Sequence, residues 1–146
     1  MLVHDLLRLK IGVSEIATLP PAATIVEAAK ILSDLKIGLL VIKDGGESFD
    51  GVLSERDIVR LIATHGEAAL QMPVSSVMTK TVITCKPGDH TCDVMAMMTS
   101  GGFRHMPVAR DDKLVGLVSS TDIFRYLSEH ANSDEQALMW SKISWV

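Results

Sequence analysis

Apolar and polar positions in this 146-residue chain run through the same order twice. Thr24-Ile-Val-Glu27 places a hydroxyl three residues ahead of a carboxylate, at the head of a run whose apolar members are Ala28, Ile31, Leu32 and Leu35. That spacing predicts a helix opened by a capping box and buried along one face. Apolar stretches at about 37–42 and 51–53 flank the Gly- and Asp-rich turn Lys43–Asp50 and predict a β-hairpin. A further helix begins at Ser54. The second pass opens less tidily at His90-Thr91-Cys92-Asp93 and carries Met95, Met97 and Met98. Strands at about 104–109 and 114–118 follow, then a closing helix from Ser119. Each pass reads β-α-β-β-α.

Residue identities repeat as well. At an offset of 66, Thr18 meets Thr84, Pro21 meets Pro87, Glu27 meets Asp93, Leu32 meets Met98 and Ile42 meets Val108. The hairpin turn is one residue shorter in the second copy, so the offset falls to 65. Then Gly51-Val-Leu-Ser54-Glu-Arg-Asp57 aligns with Gly116-Leu-Val-Ser119-Ser-Thr-Asp122. A period of this length marks duplication of one supersecondary unit. We expect repeats at 11–66 and 76–130, linked by Ala63–Ser76. Either alone would be marginal in size, so the two are expected to share one compact, pseudo-symmetric α+β (α/β) module.

The tail, 131–146, carries Leu138, Met139, Trp140, Ile143 and Trp145 at roughly helical spacing. Two tryptophans on so short a segment suggest a helix against a second subunit, hence a homodimer. The alternative is a tail folded back on its own domain, or a frayed end.

Composition narrows the function classes. Fourteen Lys+Arg against eighteen Asp+Glu, no basic run and 4% aromatic residues argue against a nucleic-acid partner. The longest apolar runs are too short to span a bilayer, so membrane insertion is not expected. Asp5 and Arg8 interrupt the first apolar stretch, unlike a secretory leader. Two cysteines suit a reducing compartment, and a cytoplasmic protein is expected.

The doubled Gly-h-h-Ser-x-x-Asp phrase (h apolar), each copy preceded by its own helix and hairpin, resembles the cystathionine-β-synthase (CBS) domain. Two CBS repeats in tandem are a Bateman module, and the resemblance spans about 11–130. It implies a regulatory sensor rather than an enzyme. Such modules bind AMP, ADP, ATP, S-adenosylmethionine or NAD-type dinucleotides in clefts between the repeats and modulate a separate partner protein. No cofactor is required beyond an adenine nucleotide as regulatory ligand.

The residues of the phrase carry two readings. As structure, Ser54 and Ser119 cap their helices and Asp57 and Asp122 sit well at the positive helix end. As a site, a carboxylate can accept from both hydroxyls of a ribose, while serine and helix-end amides face a phosphate. The resemblance assigns Asp57 and Asp122 to ribose, and Ser54 and Ser119 to the phosphate side; Arg56, and Thr121 in its place in the second copy, are further candidates. Phe103-Arg104-His105-Met106-Pro107-Val108 is similar to the segment whose basic pair contacts phosphates in the nucleotide-sensing subunit of AMP-activated protein kinase. Carried over, Arg104 and His105 would serve the Asp57 site. The first copy has Gly38 and Leu39 at those places, so the Asp122 site is expected to be the weaker one for a phosphate. The resemblance further implies an adenine slot along the strands opening the repeats, near Ile16 and Thr18 and near Val82 and Thr84, and along the central strands.

Two rival chemistries are weaker. No Ser-His-Asp or Cys-His constellation stands out. Cys85-x4-His90-x-Cys92 has metal-ligating residue types but no fourth ligand and no zinc-hairpin spacing, so no metal is expected. The main alternative is a ligand-free dimerisation module in which both Ser-x-x-Asp phrases are caps alone.

Overall fold

The computed structural model describes residues 1–10 and 16–142. They form two compact units, residues 16–82 and residues 1–10 with 83–142. The chain opens on helix α1 (Val3–Leu9), which belongs to the second unit.

The first unit runs β1 (Thr18–Leu19), α2 (Ile25–Leu35), β2 (Leu39–Ile42), β3 (Gly51–Ser54), α3 (Glu55–His65). The capping box at the head of α2 forms as expected: Glu27 N–H donates to Thr24 Oγ1 (3.3 Å) and Thr24 N–H to Glu27 Oε2 (2.7 Å). Ile25, Ala28 and Leu32 form its buried face. The strand expected from Ile37 starts at Leu39, because Ile37 N–H is spent on the helix end, donating to Leu32 O (3.1 Å). β2 lies between β1, which it pairs in parallel, and β3, which it pairs antiparallel. A central strand covered on both faces explains its unbroken Leu-Leu-Val-Ile.

The expected link 63–76 is built into this unit. After α3 come two short 3-10 helices, Gly66–Gln71 and Val74–Ser76, whose Ala69 and Val74 are fully buried in the core with Ile25, Leu40 and Leu53. Val74 N–H donates to Ala23 O (2.7 Å), and Thr79 exchanges both backbone bonds with Val52. With its backbone groups so satisfied, the segment is structure, not tether.

The second unit repeats the plan: α4 (Thr91–Gly101), β4 (His105–Arg110), β5 (Lys113–Ser119) and α5 (Ser120–Glu129), followed by α6 (Ser133–Lys142). Asp111 and Asp112, both at positive φ, make the two-residue hairpin turn that matches strand twist. The opening strand expected near 82–84 contracts to a single parallel bridge, Cys85 to Val108. Its continuation is cut off where Lys86 N–H turns to Asp89 Oδ2 (2.8 Å) and Pro87 offers no donor.

Both ends of the chain complete this unit's core. Val3 and Leu6 of α1 are buried with Cys92, Met98, Met106, Val118 and Ile123. Met139 of α6 is fully buried in the same cluster, and Lys142 pairs with Asp93 on α4. Trp140, 44% exposed, meets Phe124 of its own chain at 5.9 Å between ring centroids. The described part of the tail is thus the folded-back alternative. Ile143 and Trp145 lie outside the described residues.

Candidate functional site

The Ser-x-x-Asp phrases fold into equivalent strand-to-helix junctions. Ser54 ends β3 and caps α3, and Ser119 ends β5 and caps α5. Ser54 N–H donates to Asp57 Oδ2 (2.8 Å) and Asp57 N–H returns to Ser54 Oγ (3.2 Å). Ser119 N–H and Asp122 Oδ2 (2.8 Å), and Asp122 N–H and Ser119 Oγ (3.1 Å), repeat the exchange. Each junction is tied to the neighbouring strand's start: Glu55 N–H to Gly38 O (3.1 Å), Ser120 N–H to Arg104 O (2.9 Å). Both serines are therefore caps, each worth about 1 kcal/mol. Capping does not exhaust a carboxylate, whose two oxygens offer about four acceptor positions. Cap and ligand roles are compatible in the same residue.

The glycine of each phrase has a separate reason. A Cβ on Gly51 would come within 2.6 Å of Thr79 O, and on Gly116 within 2.8 Å of the Leu7 side chain. The strand entering each junction is thus pressed against another segment.

The remaining expected site residues occupy several places. Arg56 and Thr121 stand at the second position of α3 and α5 and are exposed. Arg104 is exposed and His105 is half-buried, pairing with Ser119 across the hairpin. The structure therefore brings the backbone of Arg104 and His105 to the junction of their own repeat. Thr18 is exposed on β1, Ile16 and Val82 are half-buried, and half-buried Thr84 precedes the Cys85 bridge.

One site residue escaped the sequence analysis. Lys10, at the end of α1, places its Nζ 2.9 Å from Asp122 Oδ2 and 3.0 Å from Leu117 O. Ser119 Oγ also donates to that oxygen (2.8 Å). Burial pushes the Asp122 carboxyl up. The hydrogen bonds from Lys10 and from Ser119 hydroxyl and amide, with the lysine charge, outweigh it and hold the group below its ordinary value. The signal was present, since Val3, Leu6 and Leu7 stand at helical spacing. Nothing in the sequence, however, tied α1 to the second repeat.

Among the described residues no three His, Cys, Asp or Glu side chains come together as metal ligands. Cys85 and Cys92 are buried in the second unit's core. No helix of the described residues is long and apolar enough to cross a membrane.

Comparison with known proteins agrees with this architecture. The CBS domain family model matches residues 10–64 and 74–129, so the chain belongs to the CBS domain family, with two copies in tandem. It is similar to the CBS-domain containing protein ATU1752 from Agrobacterium tumefaciens, at 38% identity and a TM-score of 0.81, covering 86% of this chain and 98% of that one. The CBS domain pair of protein MJ0100, solved with 5-methylthioadenosine and S-adenosyl-L-methionine, is 28% identical with a TM-score of 0.76, covering 90% and 98%. The CBS domain protein PAE2072 from Pyrobaculum aerophilum, complexed with AMP, is 27% identical with a TM-score of 0.75, covering 94% and 98%.

Proposed function

We propose that this protein is a regulatory sensor of adenosine-containing ligands, with Asp57 and Asp122 each holding a ribose. The observation that carries the reading is the repeated junction itself. Two carboxylates are fixed by their own caps at the head of a helix, where a hydroxyl donor and a phosphate can be served together. That similar CBS pairs were solved with AMP or with S-adenosylmethionine supports the ligand class. Arg104 and His105 supply phosphate-contacting charge, aided by Arg56, Ser54, Ser119 and Thr121, and Ile16, Thr18, Val82 and Thr84 border the adenine. The module acts on a separate partner protein, in the cytoplasm, through a shift between two states that ligand binds unequally. No catalysis is assigned. Self-association belongs to the reading: Val59 and Phe124, equivalent positions of α3 and α5, are both exposed.

The complete capping boxes favour one rival, a ligand-free interaction module in which both aspartates are structural only. Calorimetric titration with AMP, then ATP, S-adenosylmethionine and NADH, separates the two. Saturable binding weakened at least about tenfold by Asp57→Ala or Asp122→Ala, the scale of lost charge-assisted hydrogen bonds, supports the sensor. No binding by a cooperatively melting sample leaves the caps alone.

A further inference from the structure

The two junctions share one cap geometry but differ in what faces the carboxylate. Asp122 Oδ2 is held by the Lys10 ammonium at 2.9 Å, in addition to Ser119 N–H and Oγ, and the ammonium is anchored a second time on Leu117 O. A ribose hydroxyl donating to that oxygen must compete with a full positive charge. The carboxylate side chain is only 13% exposed and the lysine 31%, so screening by water is partial. Beside the pair lies a cavity of about 300 Å³, bordered by Leu6, Leu9, Lys10, Asp122, Arg125 and Glu129. It gives the four-carbon lysine stem room to carry its charge off the carboxylate.

We propose that Lys10 is a specificity residue for the Asp122 site: a counter-ion that excludes neutral nucleosides and admits ligands bringing their own anion. A neutral nucleoside whose two ribose hydroxyls span both carboxylate oxygens would displace the ammonium from Oδ2 of Asp122 and leave that charge without its partner. A nucleotide releases the same ammonium but offers it a phosphate in exchange. The lysine thereby adds a basic group at a junction whose own neighbouring strand begins at Arg104 and His105. The inference rests on the proposed ribose role of Asp122.

The test is calorimetric titration of adenosine and of AMP into Asp57→Asn protein, with Lys10 intact and with Lys10→Met. Thermal melts establish that both are folded. Lys10→Met is expected to tighten adenosine and weaken AMP, each by about tenfold, the scale of one charge-assisted hydrogen bond. Lys10→Arg is expected to keep the preference for AMP. Affinities that stay fixed, or shift in the same direction for both ligands, overturn the proposal. If wild type binds AMP but neither Asp57→Asn protein does, the lysine's role fails while the sensor reading stands. If wild type binds neither ligand, both fall together.

Discussion

Lys36 and Gly102 end equivalent helices in the same left-handed conformation, at φ +53° and +69°. Each N–H caps its helix on the carbonyls three and four residues back, Leu32 and Ser33 in one copy, Met98 and Thr99 in the other. The conformation suits glycine, whereas a side chain there is strained by about 1 kcal/mol or more. Lys36→Gly is therefore expected to stabilise the protein. The net gain is about 0.5 kcal/mol, because removing a cation from a helix C-terminus offsets part of it. Gly102→Ala is expected to cost about 1 kcal/mol. Urea melts of the two variants must move in opposite directions.

The motif glycines are predicted to differ although the phrase is the same. At Gly51 an added methyl meets the Thr79 carbonyl, in a backbone pairing that cannot yield without losing the Val52–Thr79 exchange. At Gly116 it meets the end of Leu7, a half-buried side chain free to change rotamer. Gly51→Ala is expected to cost about 1–3 kcal/mol, the range of overpacked sites, and Gly116→Ala less. Equal losses in denaturant midpoint would contradict the assignment.

What the sequence revealed was mostly local. The capping box at Thr24–Glu27, the hairpins and the doubled Ser-x-x-Asp junction follow from spacing alone, because their determinants lie within a few residues of each other. The end of the first repeat's helix was read less well, since Ile37 is apolar enough to pass for strand while its amide closes the helix on Leu32. The contacts made at long range were not legible. Lys10 reaches a partner 112 positions away, and only the burial of Val3 and Leu6 in the second unit's core brings it there. The tail was ambiguous for the same reason, because its apolar spacing cannot say which core receives Met139.

Cys85 is expected to be chemically silent. Burial, with the negative charge of Asp89 adding to it, pushes its thiol up to about 11. A thiol in that state holds almost no thiolate near neutral pH, and its sulfur is fully enclosed. A thiol-reactive probe at pH 8 is expected to leave Cys85 unlabelled in folded protein and to label it rapidly in denaturant. Labelling of Cys85 in the folded protein would show that the Cys85–Val108 bridge opens readily.

The Lys10–Asp122 pair predicts a particular dependence of stability on pH. The Asp122 carboxyl lies below its ordinary value in the folded protein, so on acidification the unfolded chain takes up this proton first. The pair's stabilisation is therefore fully present above the unfolded carboxylate value, about pH 4, and is lost as pH falls through the lower folded value. Its size is about 1 kcal/mol, on the scale of partly exposed pairs, because the lysine remains about a third exposed. Replacing Lys10 with methionine removes the hydrogen bond and charge but leaves the burial, so the Asp122 carboxyl is expected to titrate higher, a change that carboxyl-carbon NMR reads directly. Urea melts of wild type and Lys10→Met should then differ by about 1 kcal/mol at pH 7, and the gap should close as pH falls below about 4 and through the lower folded value. A gap that stays unchanged as the pH is lowered until the folded carboxyl itself is protonated, as followed by the carboxyl-carbon NMR signal, would mean that Lys10 stabilises the unit through its aliphatic stem and not through the carboxylate of Asp122.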